Sequence, residues 1–72
     1  MTASGPLNLL VNGQPFRVDA GATLDQLLAR QQLAGQRVAV ERNGDIVPRS
    51  RYAQTRLADG DRIEIVRAIG GG

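Results

Sequence analysis

Apolar positions along this chain recur with two different periods. In Leu7-Asn8-Leu9-Leu10-Val11 every second residue is apolar, which predicts a strand with Leu7, Leu9 and Val11 turned inward. Asn12-Gly13 follows, a strong hairpin signal because both turn positions favour a positive φ. Phe16 and Val18 continue a second strand, and Pro15 near its start suits a sheet edge, where a missing N–H costs little. Val38-Ala39-Val40 reads as a third strand, turned by Asn43-Gly44 into Ile46-Val47 and ended by Pro48. The clearest alternation is Arg62-Ile63-Glu64-Ile65-Val66-Arg67, with Ile63 and Ile65 inward and Arg62 and Glu64 outward. The same alternation turns Leu10, Val66 and Ala68 outward near the base of the last segment, with Ile69 beside them, as a small apolar docking patch rimmed by arginines.

Between these strands the period changes. Leu24, Leu27 and Leu28 fall at i, i+3 and i+4, one stripe of an amphipathic helix. Thr23-Leu24-Asp25-Gln26 is a capping box, Asp25 sits at the positive end of the helix dipole, and Arg30 lies near the other end. Gly35 is the expected left-handed stop. Residues 49–57 read as irregular or as a short helical turn, anchored by Tyr52 and Leu57, with the Tyr52 hydroxyl at the surface. Asp59-Gly60-Asp61 is a tight turn into the last strand.

The order is therefore strand, strand, helix, strand, strand, strand. One helix must cover one face of a mixed sheet of about five strands, an α+β arrangement. A hairpin, a helical crossover and a long last strand fit a ubiquitin-like β-grasp, with the first and last strands parallel at the sheet centre. The expected boundaries are a disordered N-terminal extension at 1–6, a β-grasp domain at 7–67 and a flexible Gly-rich tail at 68–72.

Composition narrows the chemistry. A chain of 72 residues buries only about 60% of its unfolded surface. It holds no cysteine and no histidine, which removes disulfides, thiolate metal sites, a cysteine nucleophile and the commonest general base. Asp59 and Asp61 lack the spacing of a calcium loop, and Asp19, Glu41 and Asp45 form no acid–base pair, so neither catalytic nor metal-ligating residues are expected. With 42% hydrophobic and 22% charged residues the profile is globular. No apolar run reaches the roughly 18 residues of a membrane span, and Met1 to Gly5 has no signal-peptide pattern, so a cytoplasmic protein without a membrane partner is expected.

Net charge is +2, and all nine basic residues are arginine. The missing lysines fit a GC-rich genome. They also fit a protein with an activated carboxyl group, which gains by holding no amine that could attack it. Arg49, Arg51 and Arg56 cluster before the last strand, yet one Phe and one Tyr leave no stacking platform for nucleic acid. A solvated face or a dock for an acidic partner are the remaining readings.

Gly70-Gly71-Gly72 is followed by no helix that could cradle a phosphate. Five extended residues, 68–72, would reach about 17 Å at roughly 3.3–3.6 Å each, and residues without side chains can thread a narrow channel. The segments Asn43-Gly44-Asp45-Ile46-Val47-Pro48-Arg49-Ser50-Arg51-Tyr52, Leu57-Ala58-Asp59-Gly60-Asp61-Arg62-Ile63-Glu64-Ile65-Val66 and Ala68-Ile69-Gly70-Gly71-Gly72 together resemble the thiamine-biosynthesis sulfur carrier family (ThiS). Val11-Asn12-Gly13-Gln14 and Gly21-Ala22-Thr23-Leu24 are similar to it as well, so the resemblance covers residues 7–72.

That resemblance implies a carrier and not an enzyme. A ThiF-like partner would use ATP to adenylate the carboxylate of Gly72, the carrier itself binding no cofactor. Sulfur from a cysteine-desulfurase persulfide would convert it to a thiocarboxylate, and a ThiG-like thiazole synthase would take that sulfur. A sister carrier for molybdopterin or cysteine synthesis, a protein modifier joined to lysines, and a small β-grasp nucleic-acid-binding module are the alternatives.

Overall fold

The computed structural model describes residues 5–67. Its elements are β1 (Leu7–Val11), β2 (Gln14–Val18), α1 (Leu24–Arg30), β3 (Val38–Arg42), β4 (Asp45–Val47), a 3₁₀ helix (Arg49–Gln54) and β5 (Arg62–Arg67). The five strands form one mixed sheet in the order β2-β1-β5-β3-β4. β5 is central, parallel to β1 and antiparallel to β3, as the β-grasp reading requires. β2 is an edge strand, so Pro15 withholds no ladder donor from a neighbour on its free side. The expected boundaries at 1–6 and 68–72 fall largely outside the described residues, and no helix among the described residues is long and apolar enough to cross a membrane.

The core lies where the leucine stripe of α1 meets the inner sheet face. Leu24, Leu27, Val40 and Ile63 are wholly buried, and Leu9, Val11, Val18 and Ile65 close around them. Burying such side chains, each worth about 1.5–3 kcal/mol, is the main stabilising contribution in a chain with no disulfide. The capping box at the start of α1 is present: the Thr23 N–H donates to Gln26 Oε1 at 3.0 Å. The Thr23 hydroxyl also donates to the Asp25 carboxylate.

Two expectations need correction. The helix does not run to Gly35. Gln32 takes the left-handed position at φ 62°, its N–H donating to the Ala29 carbonyl while the Leu33 N–H donates to the Leu28 carbonyl. These are the two bonds of a Schellman motif, and Leu33 completes it by packing partly buried against the core. The Tyr52 hydroxyl is likewise not left to solvent: it donates to the Val38 carbonyl at 3.4 Å, and the ring is buried.

Candidate functional site

The last strand is held from both sides by asparagines of the two Asn-Gly turns. Asn12 and Asn43 both sit at φ 52° with Gly13 and Gly44 following at positive φ, the backbone of type I′ hairpins. The Asn12 side chain reaches across to β5, where its Nδ2 donates to the Ile65 carbonyl at 3.2 Å and its Oδ1 accepts from the Ile65 N–H at 2.7 Å. β1 itself pairs with β5 only over Leu10–Arg62 and Val11–Ile63, so this amide prolongs the ladder by a side chain. On the other flank, Asn43 accepts from the Arg62 N–H through Oδ1 at 2.9 Å and donates its own N–H to the Arg62 carbonyl at 2.8 Å.

Asp61 locks the entry to the same strand. Its carboxylate accepts from Asn43 Nδ2 (2.9 Å), the Ala58 N–H (2.8 Å) and Arg42 Nε (2.9 Å). Burial alone would raise its pKa, but the bonds from Asn43, Ala58 and Arg42, with the charge of Arg42, outweigh that and hold it below its ordinary value. Asp59 accepts from the Asn8 N–H at 2.7 Å, and the Gly60 N–H donates to the Asn8 carbonyl. The Asp-Gly-Asp turn is thus a clamp between β1, β3 and β5. Among the described residues no three Asp, Glu, His or Cys side chains group to hold a metal.

β5 ends at Arg67, and Ala68, Ile69, Gly70, Gly71 and Gly72 lie outside the described residues. Of the expected docking residues, Leu10 and Val66 both face outward, 40% and 63% exposed. They do not form one patch. Leu10 lies level with Arg62 at the start of β5, so Val66, four residues further, is about 13 Å along the strand at roughly 3.3 Å per residue. Leu10 instead pairs with Pro15 of β2. The neighbour of Val66 is Ala39 of β3, not an arginine, and Ile46, 71% exposed on β4, lies one row away opposite Glu41. Ile46 escaped notice in the sequence because a two-residue apolar run does not say which side faces the core.

A surface concavity of about 630 Å³ lies on the other side of the molecule, between residues 18–22 and the helix. Its ionisable side chains are Asp19 and Arg30, and it lacks a paired acid and base.

The model of the ThiS family matches residues 9–72. The sulfur carrier protein ThiS of Bacillus subtilis is 44% identical over 66 residues, covering 89% of this chain and 98% of that protein. A thiazole synthase of Paramagnetospirillum magneticum is 46% identical over 66 residues, 92% of this chain, but the chain spans only 20% of that protein's length. Among solved structures, the thiamine biosynthesis protein (ThiS) of Geobacter metallireducens matches with a TM-score of 0.77 and 36% identity, covering 92% of this chain and all of that one.

Proposed function

The chain belongs to the ThiS family of sulfur carriers in thiamine biosynthesis, and on that footing we propose that it carries sulfur as a thiocarboxylate on Gly72. The observation that carries this reading is the anchoring of β5. The strand is paired on both sides and pinned by Asn12, Asn43 and Asp61, and Gly72 stands five residues beyond its last residue, Arg67. Five residues beyond that strand, the Gly72 carboxylate can lie at most about 17 Å from the folded body at roughly 3.3–3.6 Å per residue.

The chemistry follows from what a carboxylate lacks. It is a poor electrophile, and its oxygen leaves badly. A partner enzyme joins the Gly72 carboxylate to the α-phosphate of ATP and releases pyrophosphate. A persulfide sulfur from a cysteine-desulfurase pathway then attacks the acyl carbon and expels AMP. Reductive cleavage of the resulting acyl disulfide by a thiol leaves the thiocarboxylate, which a thiazole synthase consumes. The chain itself acts as carrier and its partners as catalysts.

Incubation with ATP, the adenylating enzyme of the same organism, a persulfide donor and a thiol should shift the intact mass by one oxygen-to-sulfur exchange. Deletion of Gly72 should abolish the shift. A deletion variant that still gains sulfur, or a native chain that never does, overturns the reading.

A further inference from the structure

We propose that Asn12 and Asn43 are covalent modification sites: two deamidation switches that folding holds closed and that unclip β5 once they react. The inference stands apart from the carrier reading above.

Two of the three asparagines of the chain precede a glycine. With no side chain on the next residue, the glycine main-chain nitrogen has open access to the asparagine carboxamide carbon. That nitrogen bonds to Cγ, and the side-chain nitrogen leaves as ammonia, taking up the glycine N–H proton. Water then opens the cyclic imide at either carbonyl. One product is aspartate; the other is isoaspartate, in which the main chain runs through the side-chain carbon. Asn8, the third asparagine, precedes Leu9, whose side chain hinders the same attack.

The attack requires each carboxamide to turn back onto its own main chain, and in the folded domain both are held elsewhere. The Asn12 amide is bonded through both its atoms to the Ile65 backbone. The Asn43 amide accepts from the Arg62 N–H and donates to the Asp61 carboxylate. Both residues are exposed, so water reaches them, and the restraint is the pair of hydrogen bonds at each site. Those partners lie 53 residues from Asn12 and 18 and 19 residues from Asn43. Protection therefore comes from the closed sheet and is lost when β5 opens.

The product cannot restore the clip, because Nδ2 is the atom that leaves. At position 12 a carboxylate would face the Ile65 carbonyl that Nδ2 now donates to. At position 43 it would face the Asp61 oxygen that Nδ2 now contacts at 2.9 Å. The other Asp61 oxygen holds Arg42, and Glu41, Glu64 and Arg62 line the hollow beside Asn43 and Gly44. A new charge at 43 thus meets three carboxylates and two guanidiniums. Isoaspartate in addition lengthens the main chain of a two-residue turn that fixes the strand register. Both asparagines clasp β5, so reaction at one loosens the strand that protects the other.

Mass spectrometry of the full chain, aged in mildly alkaline buffer either folded or unfolded in guanidinium chloride, tests the assignment. Each event replaces an NH2 by an OH, and trypsin separates Asn12, in residues 1–17, from Asn43, in residues 43–49. Both sites should convert in the unfolded chain, and at least about tenfold more slowly in the folded one. Asn12→Asp and Asn43→Asp should each lower the thermal midpoint by about 4–8 °C or more. In the folded chain Asn12→Asp should also speed conversion at Asn43. Equal rates in the folded and unfolded chain overturn the proposal, as do aspartate variants that melt like the native chain. Where a variant fails to fold, the rates of the native chain decide alone. None of these measurements involves ATP or a partner, so their failure leaves the thiocarboxylate test untouched.

Discussion

The side-chain amide of Asn12 pairs with both backbone groups of Ile65, 53 residues away in sequence, and so stands in for a strand residue that β1 does not have. Asn12→Gly keeps the left-handed turn but removes the amide. It should cost about 1–3 kcal/mol, since two part-buried backbone groups of β5 lose their partners. The denaturant midpoint reports the cost. Faster deuterium exchange at the Ile65 amide would assign it to this strand, and unchanged exchange would place the loss elsewhere.

Leu27 lies wholly buried in the middle of the helix stripe. Leu27→Ala should lose about 2–5 kcal/mol, a large fraction of the stability of a domain this small. A midpoint that hardly moves in urea would contradict the packing described for α1.

Gln32 holds a left-handed backbone at the end of α1, where a side chain costs about 1–2 kcal/mol. Gln32→Gly should relieve part of this and gain about 1 kcal/mol, despite the greater freedom of glycine in the unfolded chain. Gly35→Ala should act in the opposite direction, because Gly35 is also left-handed at φ 78°. Thermal unfolding of the pair checks both signs.

Asp61 sets an acid limit. Its folded pKa lies below that of an ordinary aspartate, so its contribution is fully present above the ordinary aspartate pKa and is lost as the pH falls through the folded pKa. Unfolding curves between neutral pH and strong acid should show this loss. In Asp61→Asn the acid slope should shrink and stability at neutral pH should drop, because Arg42 loses its partner. An acid slope that the substitution leaves unchanged would show that other carboxylates set it.

Gly71→Val should slow sulfur loading, since a β-branched residue widens the tail and restricts its backbone. The core is built from residues between Leu9 and Ile65, so the thermal midpoint should hold. Rapid loading of this variant would show that no narrow channel receives the tail.

The strands and their buried sides were readable because a period of two leaves only one face for Leu9, Val11, Ile63 and Ile65. Alternation says which face a residue takes but not its level beside the next strand. Alternation alone therefore groups Leu10 with Val66, whereas pairing puts it beside Arg62. Gly35 looked like the helix stop on residue type, whereas the packing of Leu33 ends the helix three residues earlier, at Gln32. Asp61 reads as a turn residue, but its partners Arg42 and Asn43 come from a hairpin 19 and 18 residues away, which only topology brings near. The glycines after Arg67 are legible in the sequence alone.

The central strand is also the last of the five described strands to be synthesised, and this orders events at the ribosome. Until β5 emerges, β1–β2 and β3–β4 are two separate hairpins, each too small to persist alone in water. Sheet closure must wait for the segment immediately before the glycines. A nascent chain cut short anywhere upstream of β5 lacks the strand that joins the two halves and remains a target for proteolysis. Nearly every copy that escapes degradation has therefore been translated through Arg67, so the fold itself screens out molecules cut short before Gly70, Gly71 and Gly72.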